Sequence, residues 1–123
     1  MSKNKKCVCT GSNILIFSCS GGADVAELAD QAARKMTKKG IGKMYCLAGI
    51  GGEVKGILET TKAAEKLFVI DGCPVACAKK ILEKYGFNDY KYIELTSMGF
   101  EKGNSPLTND SIDKIVEKSE SLL

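Results

Sequence analysis

Six cysteines stand in a chain of 123 residues, at Cys7, Cys9, Cys19, Cys46, Cys73 and Cys77, and the chain has no histidine. The tightest pairing of interest lies in VIDGCPVACAKK, residues 69–80, where Cys73 and Cys77 are separated by three residues. A thiolate can ligate a soft metal, exchange with a disulfide or act as a nucleophile. With no imidazole in the sequence, a His-ligated metal enzyme, a Cys–His nucleophile pair and a Ser–His–Asp triad all fall away. Three chemistries stay open. The first is thiolate ligation of zinc, either as a closed four-cysteine site or as three cysteines with an open position. The second is thiol, persulfide or disulfide chemistry with Cys73 as the reactive group. The third is an iron–sulfur cluster held on four thiolates.

The compartment bears on which of these is sensible. In a small secreted chain, six cysteines would read as a disulfide framework. Here 44% of the residues are hydrophobic, enough for an ordinary core. The apolar part of the N-terminal stretch, ILIF, is shorter than the roughly 7–15 residues a signal peptide needs. The expectation is a cytoplasmic protein with reduced thiols. No apolar run approaches the roughly 18 residues of a membrane span. The net charge of +3 is small, and Arg34 is the sole arginine among eighteen basic residues. Arginine is the preferred fork for phosphates and base edges, so nucleic acid is not an expected partner. The expected partner is a metal ion, and the sequence names no protein partner.

The elements that must position the thiols alternate strand and helix four times. Residues 13–19, NILIFSC, are a continuous apolar run, as expected of a strand buried on both faces. A helix follows, with Val25, Leu28, Ala29, Ala32 and Met36 on one stripe and Gly40 as its stop. Residues 44–48 predict a second strand, and a glycine loop leads to a helix with Val54, Ile57, Leu58 and Thr61 inward. Residues 66–71, KLFVID, predict the third strand. Pro74 suits the first position of the next helix, whose stripe is Val75, Ala78, Ile81, Leu82 and Tyr85. Residues 90–96 alternate polar and apolar, as a half-exposed edge strand does. A last helix carries Ile112, Ile115, Val116, Ser119 and Leu122. This order predicts an α/β fold: a small doubly wound, flavodoxin-like parallel sheet of four strands, order 2-1-3-4, with helices on both faces. Residues 1–11 read as an N-terminal arm, and 12–123 as one domain.

That order decides where the cysteines fall. Cys19 ends strand 1, Cys46 lies in strand 2, and Cys73 follows strand 3 and opens a helix that carries Cys77 one turn later. Strands 2 and 3 flank strand 1, so four thiols converge at the carboxyl edge, where open α/β sheets bind ligands. Positions i and i+4 share a helix face, and a helix start favours a thiolate at Cys73. The competing reading is packing, because cysteine is often a small buried hydrophobe. It is strongest for Cys46 inside an apolar strand and weakest for Cys73 with Cys77. Cys7 and Cys9 sit in the Lys-rich arm, as a second ligand pair or as free thiols. The loops SGGAD and AGIGGE lack the lysine of a phosphate-binding loop and read more simply as tight turns. Asp71 is either an acceptor behind the site or a turn residue.

Together, DGC at 71–73, Cys77, the upstream CSGGADV and YCLAGIGG, and the later GFEKGNSP resemble the DGC family of zinc-binding proteins, named for its Asp-Gly-Cys tripeptide. The resemblance runs along nearly the whole chain from Cys19. It implies zinc held by four recurring cysteines, which in this sequence are Cys19, Cys46, Cys73 and Cys77. It implies no substrate and no reaction.

Overall fold

The computed structural model describes residues 13–123. The arm assigned to residues 1–11, with Cys7 and Cys9, lies outside the described residues. Four parallel strands form one sheet: β1 (Ile14–Ser18), β2 (Lys43–Met44), β3 (Lys66–Asp71) and β4 (Lys91–Glu94), in the order β2-β1-β3-β4. The expected α/β class and the order 2-1-3-4 are therefore the observed ones. The central pair is the longest, with Ile14 opposite Lys66 and Ser18 opposite Ile70.

The strand alternation divides the core in two. Ile14, Ile16, Phe68, Ile70 and Ile93 face α1 (Asp24–Lys38) and α5 (Asn109–Leu122), which bring Leu28, Ala32, Met36, Ile115 and Val116. Leu15, Phe17, Leu67 and Val69 face the other way, under Ile50, Ala78 and Leu82 from α2 (Leu47–Gly51) and α4 (Cys77–Lys84), with Ile57 and Leu58 of α3 (Lys55–Lys62) packed alongside. A strand such as ILIFS is apolar at every position because both of its faces are covered. Among the described residues no helix is long and apolar enough to cross a membrane.

Five local expectations give way. The second strand stops at Met44, because residues 47–51 form a helical turn instead of extending the edge. Gly49 permits this turn, since a Cβ there would lie 2.1 Å from Ile57 Cδ1 on the next helix. Cys46 accordingly leaves the strand. The fourth strand ends at Glu94, whose carboxylate accepts the Thr96 N–H at 2.7 Å and turns Leu95–Met98 into a 3-10 turn. The helix expected from Pro74 begins only at Cys77. Val75, expected on its buried stripe, is 53% exposed, and Val54 is 49% exposed ahead of α3.

Candidate functional site

The Asp-Gly-Cys tripeptide lies where β3 leaves the sheet, and each of its residues has a separate physical task. Asp71 is 1% exposed. Its carboxylate accepts the N–H groups of Ala78 at 2.9 Å and Lys79 at 3.1 Å, and the Tyr92 hydroxyl at 2.9 Å. Ala78 and Lys79 hold the second and third positions of α4, which are the donors a helix cap normally satisfies. Asp71 is thus a cap supplied from the strand end rather than from the residue before the helix. Burial first, and the Asp71 charge second, push the Tyr92 phenol far above the ordinary tyrosine range.

Gly72 sits against the first turn of α1. A Cβ there would lie 2.7 Å from the Val25 carbonyl carbon and 2.9 Å from the Ala26 nitrogen. No side chain fits while α1 stays where it is.

Cys73 then opens a tight turn, with its carbonyl accepting the Ala76 N–H at 3.1 Å. Pro74 takes the second position of this turn, which its fixed φ suits as well as it suits a helix start. Ala76 is left-handed, φ 57°, and precedes the helix. Cys73 and Cys77 therefore do not stack on one helix face, and the helix start belongs to Cys77.

Cys19 follows β1, and its N–H extends the ladder to the Ile70 carbonyl at 3.2 Å. It packs against both halves of the core. Its sulfur accepts the Gly72 N–H at 3.4 Å. Burial pushes the Cys19 thiol up, against the N–H groups of Gly72, Gly21 and Ser20, which favour the thiolate. A raised thiol contributes its stability fully below the ordinary thiol range and loses it as pH climbs through the raised value. Ser20, next along, is left-handed at φ 51°. Its hydroxyl bonds the Ser18 hydroxyl at 2.6 Å and donates to Asp30 at 2.8 Å.

Cys46 and Cys77 are exposed, whereas Cys19 and Cys73 are half-buried. Cys46 precedes α2 and borders an open hollow of about 520 Å³ lined also by Arg34, Lys38 and Tyr45. Its exposure removes the reading of Cys46 as a core filler.

The loop after the 3-10 turn forms another wall of this edge. Asp24, at the first position of α1, accepts the N–H groups of Gly103 and Ser105, each at 2.9 Å, and of Val25 at 2.8 Å. Ser105 is buried and bonds Glu101 through both backbone groups, at 2.8 Å each. Between them Lys102 extends its ammonium to 3.9 Å from the Cys73 sulfur. The amide hydrogen bonds of Gly103 and Ser105 hold the Asp24 carboxyl below the ordinary carboxylate range. A lowered carboxyl contributes its stability above the ordinary value of roughly 3.9 and loses it as pH falls through the lowered one. Between pH 5 and pH 2, the amides of Gly103 and Ser105 are expected to lose hydrogen-exchange protection before those of β1. Simultaneous loss with the β1 amides would show that Asp24 does not hold this loop.

The donor types suit a soft metal: four thiols share the carboxyl edge, and Asp71 is spent on α4 and Tyr92. Their arrangement is not a ready-made ligand cluster. Among the described residues, no three potential ligands are grouped so as to hold a metal ion. Sequence reasoning missed Asp24, Tyr92 and Lys102 as parts of this edge. GFEKGNSP was visible as a motif, but nothing local in it signals a return to the start of α1.

Known proteins bear on this arrangement in two ways. The family model described as the DGC domain matches residues 15–119. The anaerobic and virulence modulator AnvM of Pseudomonas aeruginosa is 30% identical over 88 residues, which span 72% of this chain and 67% of that protein. No solved structure matches this chain. The matched span runs from β1 into α5 and takes in Cys19, Cys46, Cys73, Cys77, Asp24 and Lys102, so the whole carboxyl edge lies within it, and the chain belongs to the DGC domain family.

Proposed function

We propose that the carboxyl edge is a thiolate site for a soft metal ion, zinc first, with Cys19, Cys46, Cys73 and Cys77 as ligands. The observation that supports this reading is the sheet order: β2, β1 and β3 are neighbours, Cys46, Cys19 and Cys73 follow their ends, and Cys77 opens α4. Bound zinc would supply a closed-shell Lewis acid that favours tetrahedral thiolates. The protein's part is to keep Cys19 and Cys73 against the core while the exposed Cys46 and Cys77 move in to complete the set. Such a site releases protons as it fills and couples metal binding to local order. The named relative is an anaerobic modulator. An edge of free thiols is the kind of site that absence of oxygen preserves.

The test is metal per chain in protein purified without air, after gel filtration. About one zinc is expected in the unaltered chain. Cys73→Ser and Cys77→Ser are each expected to lose it, whereas the double variant Cys7→Ser with Cys9→Ser keeps it. Loss in the arm variant with retention in Cys77→Ser would sink this ligand set. A coloured, iron-containing protein would point to a cluster instead, since zinc is d¹⁰ and colourless.

A second reading takes Cys73 as a reactive thiol in persulfide or disulfide exchange. It is favoured by the Lys102 ammonium at 3.9 Å and by the lack of three grouped ligands among the described residues. A metal-free chain with a single fast-reacting cysteine would select it.

A further inference from the structure

Lys102 places an exposed ammonium beside the Cys73 sulfur. It lies on a loop built for placement: Asp24 grips the amides on its far side, Ser105 bonds back to Glu101, and Phe100 packs on the core. The nearby carboxylates are engaged. Asp24 receives three backbone N–H groups, and Asp71 receives two N–H groups and a hydroxyl. Both acids keep their charge, since their partners are neutral donors, but among the described residues neither forms an ion pair with Lys102, and the ammonium faces the half-buried Cys73 sulfur instead.

We infer that Lys102 makes the carboxyl edge an anion-selecting thiol site, one that prefers a small thiol-reactive molecule carrying a negative group over a neutral one. This rests on reading the edge as a thiol site and not on which metal it binds. Lys102 draws the anionic group of the incoming molecule toward the half-buried Cys73 sulfur, and the loop gripped by Asp24 keeps the ammonium there. A fixed charge a few ångströms from the reacting atoms changes the encounter rate of a charged reagent and leaves a neutral one nearly untouched.

The test compares two aromatic disulfides on metal-free, reduced protein at low salt. One is the dianionic 5,5′-dithiobis(2-nitrobenzoate), the other the neutral 4,4′-dithiodipyridine. In both, the Cys73 thiolate attacks one sulfur, the reagent's S–S bond breaks, and the aryl thiolate leaves with the electron pair as the mixed disulfide forms. Both reagents meet the same thiolate, so its population cancels in the ratio of the two rates. Mass spectrometry assigns each rate to its cysteine. Lys102→Gln is expected to lower the anionic-to-neutral ratio at Cys73 about fivefold, Lys102→Glu to lower it further, and Lys102→Arg to keep it. The ratio at exposed Cys46 stays constant throughout. Ser105→Ala, which loosens the loop by removing both bonds to Glu101 with no change of charge, is expected to lower the Cys73 ratio in the direction that Lys102→Gln does. High salt erases the preference of the unaltered chain, because screening shortens to about 3 Å at 1 M. An unchanged Cys73 ratio in Lys102→Gln and Lys102→Glu would overturn the inference whether or not the chain binds zinc. An unchanged ratio in Ser105→Ala would overturn the part played by the loop.

Discussion

Asp71→Ala is expected to cost about 3 kcal/mol of stability and to unravel the start of α4. The carboxylate satisfies three donors, Ala78 N–H, Lys79 N–H and Tyr92 O–H, at a residue that is 1% exposed. Each buried donor left without a partner costs about 1–3 kcal/mol. The Ala78 amide is fully enclosed, while the other two reach some water, which holds the sum to the lower half of the range. Asp71→Asn separates shape from charge. One carboxamide oxygen can still receive Lys79 and Tyr92, but the amide nitrogen then meets the Ala78 N–H. About half the loss is expected there. Tyr92 provides a second readout. Its phenol is raised first by burial and next by Asp71, so in Asp71→Asn it should ionise at lower pH than in the unaltered chain. The raised phenol contributes its stability fully below its unfolded value near 10 and loses it as pH rises beyond that. Denaturant unfolding and an absorbance titration of the tyrosines check both parts. A loss under 1 kcal/mol in Asp71→Ala would mean that α4 does not depend on this cap.

Gly72→Ala is expected to destabilise by a similar amount, about 3 kcal/mol, through an unrelated cause. The added methyl would lie 2.7 Å from the Val25 carbonyl carbon and 2.9 Å from its oxygen. These are backbone atoms of a 15-residue helix, so no rotamer change relieves the contact. Gly49 makes a useful contrast, because there the obstructing atom is Cδ1 of Ile57 at the end of a flexible side chain. Relief at Gly72 requires α1 to move away from the end of β3. That shift would carry Asp24 off Gly103 and Ser105 and draw the Gly72 N–H from the Cys19 sulfur. The stability loss should therefore arrive together with weaker exchange protection at residues 103 and 105. Thermal unfolding at unchanged Tm would refute the close approach.

Much of this architecture is legible in the sequence. The run ILIFS fits a strand covered on both faces, and the stripe of Leu28, Ala29, Ala32 and Met36 fits a helix lying on it, which is how both are found. Alternation of such segments, with crossovers of one hand, leaves few sheet orders. The expected order is the observed one, and Cys19, Cys46 and Cys73 come just after the ends of three neighbouring parallel strands, while Cys77 opens α4.

The sequence by itself determined the fold class and the strand order, because hydrophobic period and residue order are local properties that survive without knowledge of contacts. It also offered Pro74 as a helix start, and there tertiary structure decided otherwise. Asp71 caps α4 from seven residues back, so the helix begins where that carboxylate can reach, at Cys77, and Pro74 is left to a turn. Tertiary structure alone brought GFEKGNSP back across 79 positions from Gly103 to Asp24 and set Lys102 beside Cys73. A carboxylate that accepts amides so distant in sequence leaves no periodic trace in either segment. Its partners are chosen by where two elements end in space, and no local pattern records that.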